Sequence, residues 1–432
     1  MVTAGADNLA VLPRTAEVKT SSDLKASEVG LIPQDWVCRS VGEVADLLTG
    51  HPFPSSKFTQ YGIRLLRGSN VKRGEIDWSE GIVAHWSEDA GGFSKFRLRP
   101  GDVIIAMDGS LVGRSFATLD ASDVPSLLVQ RVARLRSSVV EQGLLGYWIC
   151  NPWFTQHCDA LKTNTAVPHI SPRDIRSYNI AFPPKRSEQE AIILALREAD
   201  ELIVTLERLI GKKRLIKQGA MQELLSGRRR LPGFSGEWLT KALLEIADIR
   251  SGGTPSTSNP DFWNGEVPWC TPTDITALGH GKYIVNTMKK ISESGLLKSS
   301  AELIPEQSII MTSRATIGEC AINKTPVATN QGFKNLVPRN GIDTEFLYYL
   351  MQTQKERLLA LCGGSTFLEI GKRQLAKLMV KLPKVSEEQK AIGQTLADMD
   401  AELEALETRL EKARQIKQGM MQELLTGRVR LV

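Results

Sequence analysis

Residues 214–231 read RLIKQGAMQELLSGRRRL, and residues 414–431 read RQIKQGMMQELLTGRVRL. Lys217, Gln218, Gly219, Met221, Gln222, Glu223, Leu224, Leu225, Gly227, Arg228 and Arg230 recur as Lys417, Gln418, Gly419, Met421, Gln422, Glu423, Leu424, Leu425, Gly427, Arg428 and Arg430. Low-complexity tracts repeat at short period. A single return after about 200 residues marks two copies of one unit instead. A two-copy chain suits a target that itself has two similar halves.

The register extends backwards from this core. Phe182-Pro183 matches Leu382-Pro383, Gln189 matches Gln389, Asp200 matches Asp400, and Tyr147-Trp148-Ile149 parallels Tyr348-Tyr349-Leu350. The apolar run Val103-Ile104-Ile105-Ala106, closed by Gly113, parallels Ile309-Ile310-Met311-Thr312, closed by Gly318. Trp36 and Glu43-Val44-Ala45-Asp46 parallel Trp238 and Glu245-Ile246-Ala247-Asp248. Each unit runs from a Trp, through a globular segment, into a long helix that stops at Gly227 or Gly427. The globular segments have diverged further than the helices, which suggests one shared structural task and two different specificities.

Ser187-Glu188-Gln189-Glu190 and Ser386-Glu387-Glu388-Gln389 have capping-box chemistry and follow prolines, so both predict helix starts. Leu196, Ala199, Ile203, Leu206 and Ile210 then follow a 3-4-3-4 spacing, as do Leu396, Met399, Leu403, Leu406 and Leu410. That spacing predicts a coiled-coil seam. Residues 188–225 amount to about 38 residues, roughly 57 Å as continuous helix. The simplest partner for each seam is the other helix, in an antiparallel pair with a globular domain near each end. Gly219 and Gly419 each cost about 1 kcal/mol relative to Ala in a helix interior. Their recurrence points either to close helix–helix or subunit contact, or to independent drift from a duplicated ancestor.

The expected fold is α+β, with a pseudo-twofold repeat. Residues 1–30 lack sustained periodicity and are expected to form an arm. Residues 31–181 and 232–381 alternate short apolar runs with Gly, Pro, Ser and Asn, which predicts strand-rich domains. Residues 182–231 and 382–432 are the helical segments. At 432 residues the chain holds two to four cores, and its 42% hydrophobic and 24% charged content is ordinary for a globular protein. The net charge of +5 permits nucleic-acid binding without proving it. Cys38, Cys150, Cys158, Cys270, Cys320 and Cys362 form no C-x-x-C pair and read as thiols in a reducing compartment. No stretch approaches 18 apolar residues and the first residues are polar, so neither signal peptide nor membrane span is expected, and the chain reads as cytoplasmic.

Catalytic signatures are weak. Asn151-Pro152-Trp153-Phe154 superficially matches the Asn-Pro-Pro-aromatic loop of amino-methyltransferases, but no Gly-rich cofactor loop stands upstream. A helix start capped by Asn151, with Pro152 in the first position, accounts for it. Gly109-Ser110-Leu111-Val112-Gly113-Arg114 lacks the lysine of a phosphate loop. Glu388-Gln389-Lys390 sits on a helix without an acidic partner on a strand. His51, His85, His157, His169 and His280 show no metal spacing. Neither a catalytic residue nor a metal site is expected.

The whole constellation resembles the specificity subunit of type I restriction–modification enzymes. Gly30-Leu31-Ile32-Pro33-Gln34-Asp35-Trp36, Val44-Ala45-Asp46, the helix entry at Pro183, Pro184, Glu188 and Gln189, and the twice-written Lys-Gln-Gly-x-Met-Gln-Glu-Leu-Leu-x-Gly exit carry the resemblance. It covers nearly the whole chain. It implies a non-catalytic subunit whose two target recognition domains each read one half of a gapped sequence in double-stranded DNA, spaced by the antiparallel helices. It also implies docking of two methylation subunits and of restriction/translocation subunits. S-adenosylmethionine, ATP and Mg would belong to those partners, leaving this chain without a cofactor. Recognition domains vary too much within the family for base-reading residues to be carried over. The main alternative is a coiled-coil adaptor that joins proteins without touching DNA, and a weaker one is a complete methylating enzyme.

Candidate DNA contacts rest on residue type. Arg64, Arg67, Ser69, Asn70, Lys72 and Arg73 combine bidentate donors, an amide and phosphate-binding amines in one strand-to-turn segment. The corresponding stretch around Thr273 is less basic. Lys162, Asn164, Arg114, Arg314, Asn330, Gln331 and Lys334 complete the set, with the polar loop at Gly363-Gly364-Ser365-Thr366 in the position matching Lys162-Thr163-Asn164-Thr165.

Overall fold

The computed structural model describes residues 16–18, 23–87, 90–163, 165–279, 281–362 and 368–431. Two compact units form: Met1–Val204 with Glu411–Val432, and Thr205–Leu410. Both are mixed α and β. Two helices dominate the element order, Arg186–Leu224 and Ser386–Leu425, of 39 and 40 residues. Among the described residues no helix is long and apolar enough to cross a membrane.

In the first unit, Ala45–Thr49, Val132–Ser137, Val103–Ala106 and Phe116–Thr118 make a four-stranded antiparallel sheet in that order. A smaller sheet places Ile63–Leu66 between Ser126–Leu128, which runs parallel to it, and His85–Trp86. Val37–Ser40 pairs antiparallel with Asn179–Phe182, directly before the first long helix. The large sheet packs on helix Gln142–Ile149 through Val103, Ile105, Leu135, Leu144, Leu145 and Trp148, all at most 1% exposed. The α+β expectation holds. The expected arm is partly strand: Ala16–Val18 pairs with Val429–Leu431, and Leu24–Ser27 with Gly30–Pro33.

The second unit repeats the plan. Ala247–Ser251, Lys334–Pro338, Ile309–Met311 and Cys320–Asn323 form its large sheet, extended by Tyr283–Ile284. Trp263–Cys270 lies between Lys289–Ile291 and Ala328–Thr329, again with one parallel pair. Trp238–Ala242 pairs with Met379–Pro383 ahead of the second long helix.

The repeated helix motifs are explained within each unit. In the second, Arg230 donates to Glu388 twice, at 2.6 and 2.7 Å, and Glu388 is 1% exposed. In the first, Arg430 does the same to Glu188 and also reaches Asp35 at 2.8 Å. The exit of one long helix thus buckles onto the entry of the other. Gly227 and Gly427 close the helices in left-handed conformation, at φ +72° and +69°. A Cβ on Gly227 would meet the Trp238 ring at 3.0 Å, and one on Gly427 would meet Pro33 at 2.6 Å and Trp36 at 3.0 Å. The Trp-led entry and the Gly-ended exit are therefore two sides of one contact.

Helix pairing is antiparallel inside each unit. Arg214 meets Glu407 at 2.5 Å, Lys217 meets Asp400 and Arg230 meets Glu388 at 2.6 Å, so partner numbers fall as the chain rises, with Lys213 reaching Glu402 at 2.6 Å beside them. Asp200 meets Lys417 at 2.5 Å in the first unit. Leu196 and Ala199 share a core there with Met420, Met421, Leu424 and Leu425; Leu396 and Ile392 share the other with Leu224 and Leu225. Of the predicted seam, Leu206, Ile210 and Leu403 are also buried, while Ile203, Met399, Leu406 and Leu410 are half-buried.

Three expectations are corrected. Ser187 lies inside the helix rather than capping it. Gln189 ties the entry down instead, donating to the Pro183 carbonyl at 2.8 Å and accepting from the Glu141 N–H at 2.8 Å. Gln389 does the same with Pro383 and Asp343. Second, that equivalence shifts the register by one: Tyr147 corresponds to Tyr349, not Tyr348. Both hydroxyls donate to the helix aspartate, Tyr147 to Asp200 at 2.9 Å and Tyr349 to Asp400. Third, an added Cβ on Gly219 or Gly419 meets nothing within 4 Å, so close helix–helix packing is not their reason.

Candidate nucleic-acid interface

The basic segment after Ile63–Leu66 is largely committed to its own fold. Arg64 lies 4.4 Å over the Trp78 ring and donates to the Ser122 carbonyl at 2.5 Å. Arg67 donates to the Ile82 carbonyl, and Lys72 to the Ser69 carbonyl at 2.9 Å. Asn70 is fully buried. Its Oδ1 accepts from the Arg67 N–H at 3.0 Å and its amide donates to the Asp77 carbonyl at 2.9 Å. With both ends of the amide satisfied by backbone, Asn70 is a brace for the turn and is set aside as a base reader. Asp274 braces the equivalent turn by accepting from the Thr271 N–H at 2.7 Å. Ser69, Arg73 and Thr273 remain exposed at these turns.

A second group closes the large sheets. In the first unit Asp108 is engaged by His169, and by Arg131 at 3.1 Å. In the second, Glu369 is engaged by Arg314 at 2.9 Å and by Lys334 at 3.4 Å. The positions correspond: Ile170 donates its N–H to the Met107 carbonyl as Ile370 does to that of Ser313. Asp108 therefore stands where Arg314 stands, and His169 where Glu369 stands. The acid and its basic partner have exchanged positions. Lys334 is 6% exposed with its amine in this ion pair, so burial removes it from the surface candidates. Arg114 grips Asp159 at 3.0 and 2.6 Å, and Lys162 adds a third bond at 2.6 Å. These bonds, Arg114 first, pull the Asp159 carboxyl down to about 2. Asn164, His280 and residues 363–366 lie outside the described residues.

Other exposed groups carry no strong sequence signal. Lys95, Arg97 and Arg99 alternate through FSKFRLR and are exposed, with no side-chain partner among the described residues. Arg97 bridges to Leu127, at the edge of the small sheet. Their alternation of charge with Phe96 and Leu98 was the legible clue. Gln130 and Arg131 are exposed in the turn joining the two sheets. The same turn of the second unit carries Asn330, whose Oδ1 accepts from the Gly332 N–H at 2.9 Å, and exposed Gln331, hydrogen-bonded to Thr254. A cavity of about 510 Å³ opens on the second small sheet, lined by Trp263, Asn264, Met288, Lys289 and Lys290. Asn151 accepts from the Trp153 N–H at 2.9 Å, capping helix Pro152–Leu161 as its sequence suggests. Among the described residues no cluster of His, Cys, Asp or Glu can hold a metal.

Comparison with known proteins gives one consistent result. Residues 33–218 and 235–415 each match the type I restriction modification DNA specificity domain. The chain is 38% identical over 156 residues to the type I restriction enzyme MjaIX specificity subunit of Methanocaldococcus jannaschii, covering 36% of each chain. It is 32% identical over 198 residues to the EcoAI specificity subunit of Escherichia coli, covering 45% of this chain and 32% of that one. These matches span about a third of the relatives' length. The crystal structure of the type I restriction–modification S subunit from M. genitalium shares the fold, with TM-score 0.57 and 18% identity over 93% of this chain and 98% of that one.

Proposed function

We propose a function from one premise: the chain belongs to the type I restriction–modification DNA specificity family, whose domain it carries twice. The chain is the DNA-reading subunit of such a system and does no chemistry itself. Each recognition part, residues 31–181 and 232–381, reads one half of a bipartite double-stranded target with unread bases between. Methylation and restriction subunits dock on the helical segments, bringing S-adenosylmethionine, ATP and Mg with them, and the complex acts in the cytoplasm. The observation that carries this reading is the doubled family domain. In each copy a separate small sheet presents different exposed side chains on an otherwise repeated frame. Ser69, Arg73, Lys95, Arg97 and Arg99 are the proposed contacts in the first unit. Thr273, Arg314, Asn330 and Gln331 are those in the second, with phosphate contacts supplying affinity and base-edge contacts supplying specificity.

The test is selection of DNA from a randomised pool by the assembled complex, followed by sequencing. A two-part motif with a fixed gap is expected, with binding that weakens steeply as salt rises. Assembly without any selected motif sinks the reading.

A further inference from the structure

Between the small and large sheets, Val129-Gln130-Arg131-Val132 in the first unit and Asn330-Gln331-Gly332-Phe333 in the second are anchored identically. The Val129 N–H donates to the Leu66 carbonyl at 3.1 Å, and that of Asn330 to Cys270 at 3.1 Å. His51 donates to the Leu128 carbonyl at 3.0 Å, and Gly253 to Thr329 at 2.8 Å. Gly50 donates to Val132 at 3.1 Å, and Gly252 to Phe333 at 3.4 Å. Met107 donates to Arg131 at 2.9 Å, and Ser313 to Gly332 at 2.7 Å. Both turns are backed by glycine: a Cβ on Gly50 would lie 2.2 Å from the Val129 carbonyl oxygen, and one on Gly252 would lie 1.8 Å from that of Asn330. Segments distant in sequence thus hold the same four-residue connection rigid in two domains that have otherwise drifted apart.

What this connection presents is unusual for a turn. Tight turns favour Gly, Asn, Asp, Ser and Pro, each for a backbone reason. Glutamine has no such reason, yet an exposed glutamine stands in both copies, with Thr254 steadying the second. Beside it the residues differ. Arg131 takes a left-handed φ of +66°, costly for a side chain of its size, and although its Nε pairs with Asp108 at 3.1 Å, 70% of that side chain stays exposed. Glutamine suits the paired donor and acceptor on an adenine edge, and arginine the two acceptors of guanine.

We propose that these turns are specificity-determining elements of the two readers, with Gln130 and Arg131 contacting base edges of one half-site and Gln331, beside Asn330, those of the other. The proposal rests on the DNA-reading function above. A fixed backbone with exchangeable side chains lets one domain frame address different bases without moving.

The experiment compares DNA selected from a randomised pool by complexes containing the wild-type chain, Arg131→Gly, Gln130→Ala or Gln331→Ala. Glycine at 131 suits the positive φ but removes the pair with Asp108 along with the side chain, so a thermal melt of the free chain checks that the variant folds. The first two variants are expected to lose about tenfold discrimination or more at one or two adjacent positions of one half-site. Gln331→Ala is expected to do the same in the other half only. A wild-type motif retained by all three variants overturns the inference and leaves the function standing. So does a loss of both halves together with an unchanged melt, which would make the turns anchors rather than readers. If the wild-type complex itself selects no motif, the function fails and the inference with it.

Discussion

Arg430 closes on Glu188 with two parallel hydrogen bonds, Nε to Oε1 at 2.7 Å and Nη2 to Oε2 at 2.6 Å, across 242 residues of sequence. The Glu188 side chain is 5% exposed. Removing only the arginine strands a buried carboxylate, which costs about 3–5 kcal/mol. Arg430→Ala is expected to lose stability on that scale in chemical denaturation, and Arg230→Ala to lose stability in the same direction. A loss well below 1 kcal/mol for Arg430→Ala and none for Arg230→Ala would show that the clamps do not hold the helix ends.

The repeated glycines separate into two kinds. Gly427→Ala forces a Cβ into Pro33 and Trp36 at φ +69°, so it is expected to destabilise by more than about 1 kcal/mol. Gly219→Ala meets open space inside a helix and is expected to raise stability by up to about 1 kcal/mol. If Gly219→Ala also weakens assembly with methylation subunits in a pull-down, the recurrence of that glycine belongs to the partner. Unchanged assembly leaves drift as its explanation.

Lys95, Arg97 and Arg99 are exposed and without side-chain partners among the described residues. Each change to Gln is expected to lower the slope of log affinity against log salt by about 1 without altering the selected motif. Asn70→Ala has the opposite signature. Loss of the turn brace lowers the melting temperature, because Asn70 is buried and bonded to backbone at both ends of its amide.

Asp159 ties stability to pH. Its carboxyl is held at about 2, below its ordinary 3.8, by Arg114 and Lys162. A depressed folded-state value gives stabilisation that is fully present above about pH 4 and lost as pH falls towards 2. Asp159→Asn is expected to be less stable than wild type at pH 7. The two stability curves should converge by about pH 2; a constant difference across that window would assign the loss to packing.

Burial raises the Cys158, Cys270 and Cys320 thiols, that of Cys158 to about 12. Thiol reagents at pH 7.4 are expected to spare these three in the native protein and reach them only after unfolding. Mass spectrometry of the labelled peptides reads the outcome directly.

What was legible in the sequence follows from range. The seam, the Pro-led helix entries, the Asn151 cap and the closing glycines are set by neighbours within a turn or two, and the duplicated copy exposes them. The Tyr147 to Tyr349 register is not legible because two adjacent tyrosines offer equal matches, and only contacts distant in sequence, Gln389 with Asp343 and Tyr349 with Asp400, choose between them. Asn70 looked like a reader because a turn amide and a base-reading amide are the same side chain; burial alone tells them apart. Gln130 and Arg131 were invisible for a different reason. Their rigidity comes from residues near 50, 66 and 107, which meet only when the two sheets form.

The exchanged pair, Asp108 with His169 against Arg314 with Glu369, bears on how two copies in one gene stay different. Duplicated DNA invites gene conversion, which copies a stretch of one half over the other. A tract ending between codons 108 and 169, or between 314 and 369, joins the strand end of one half to the closing segment of the other. One such hybrid faces Asp with Glu and the other faces Arg with His, losing the contact that closes the sheet. Each such hybrid is therefore expected to melt below the wild-type chain, since the acid and the base that face each other come as a matched pair from one unit.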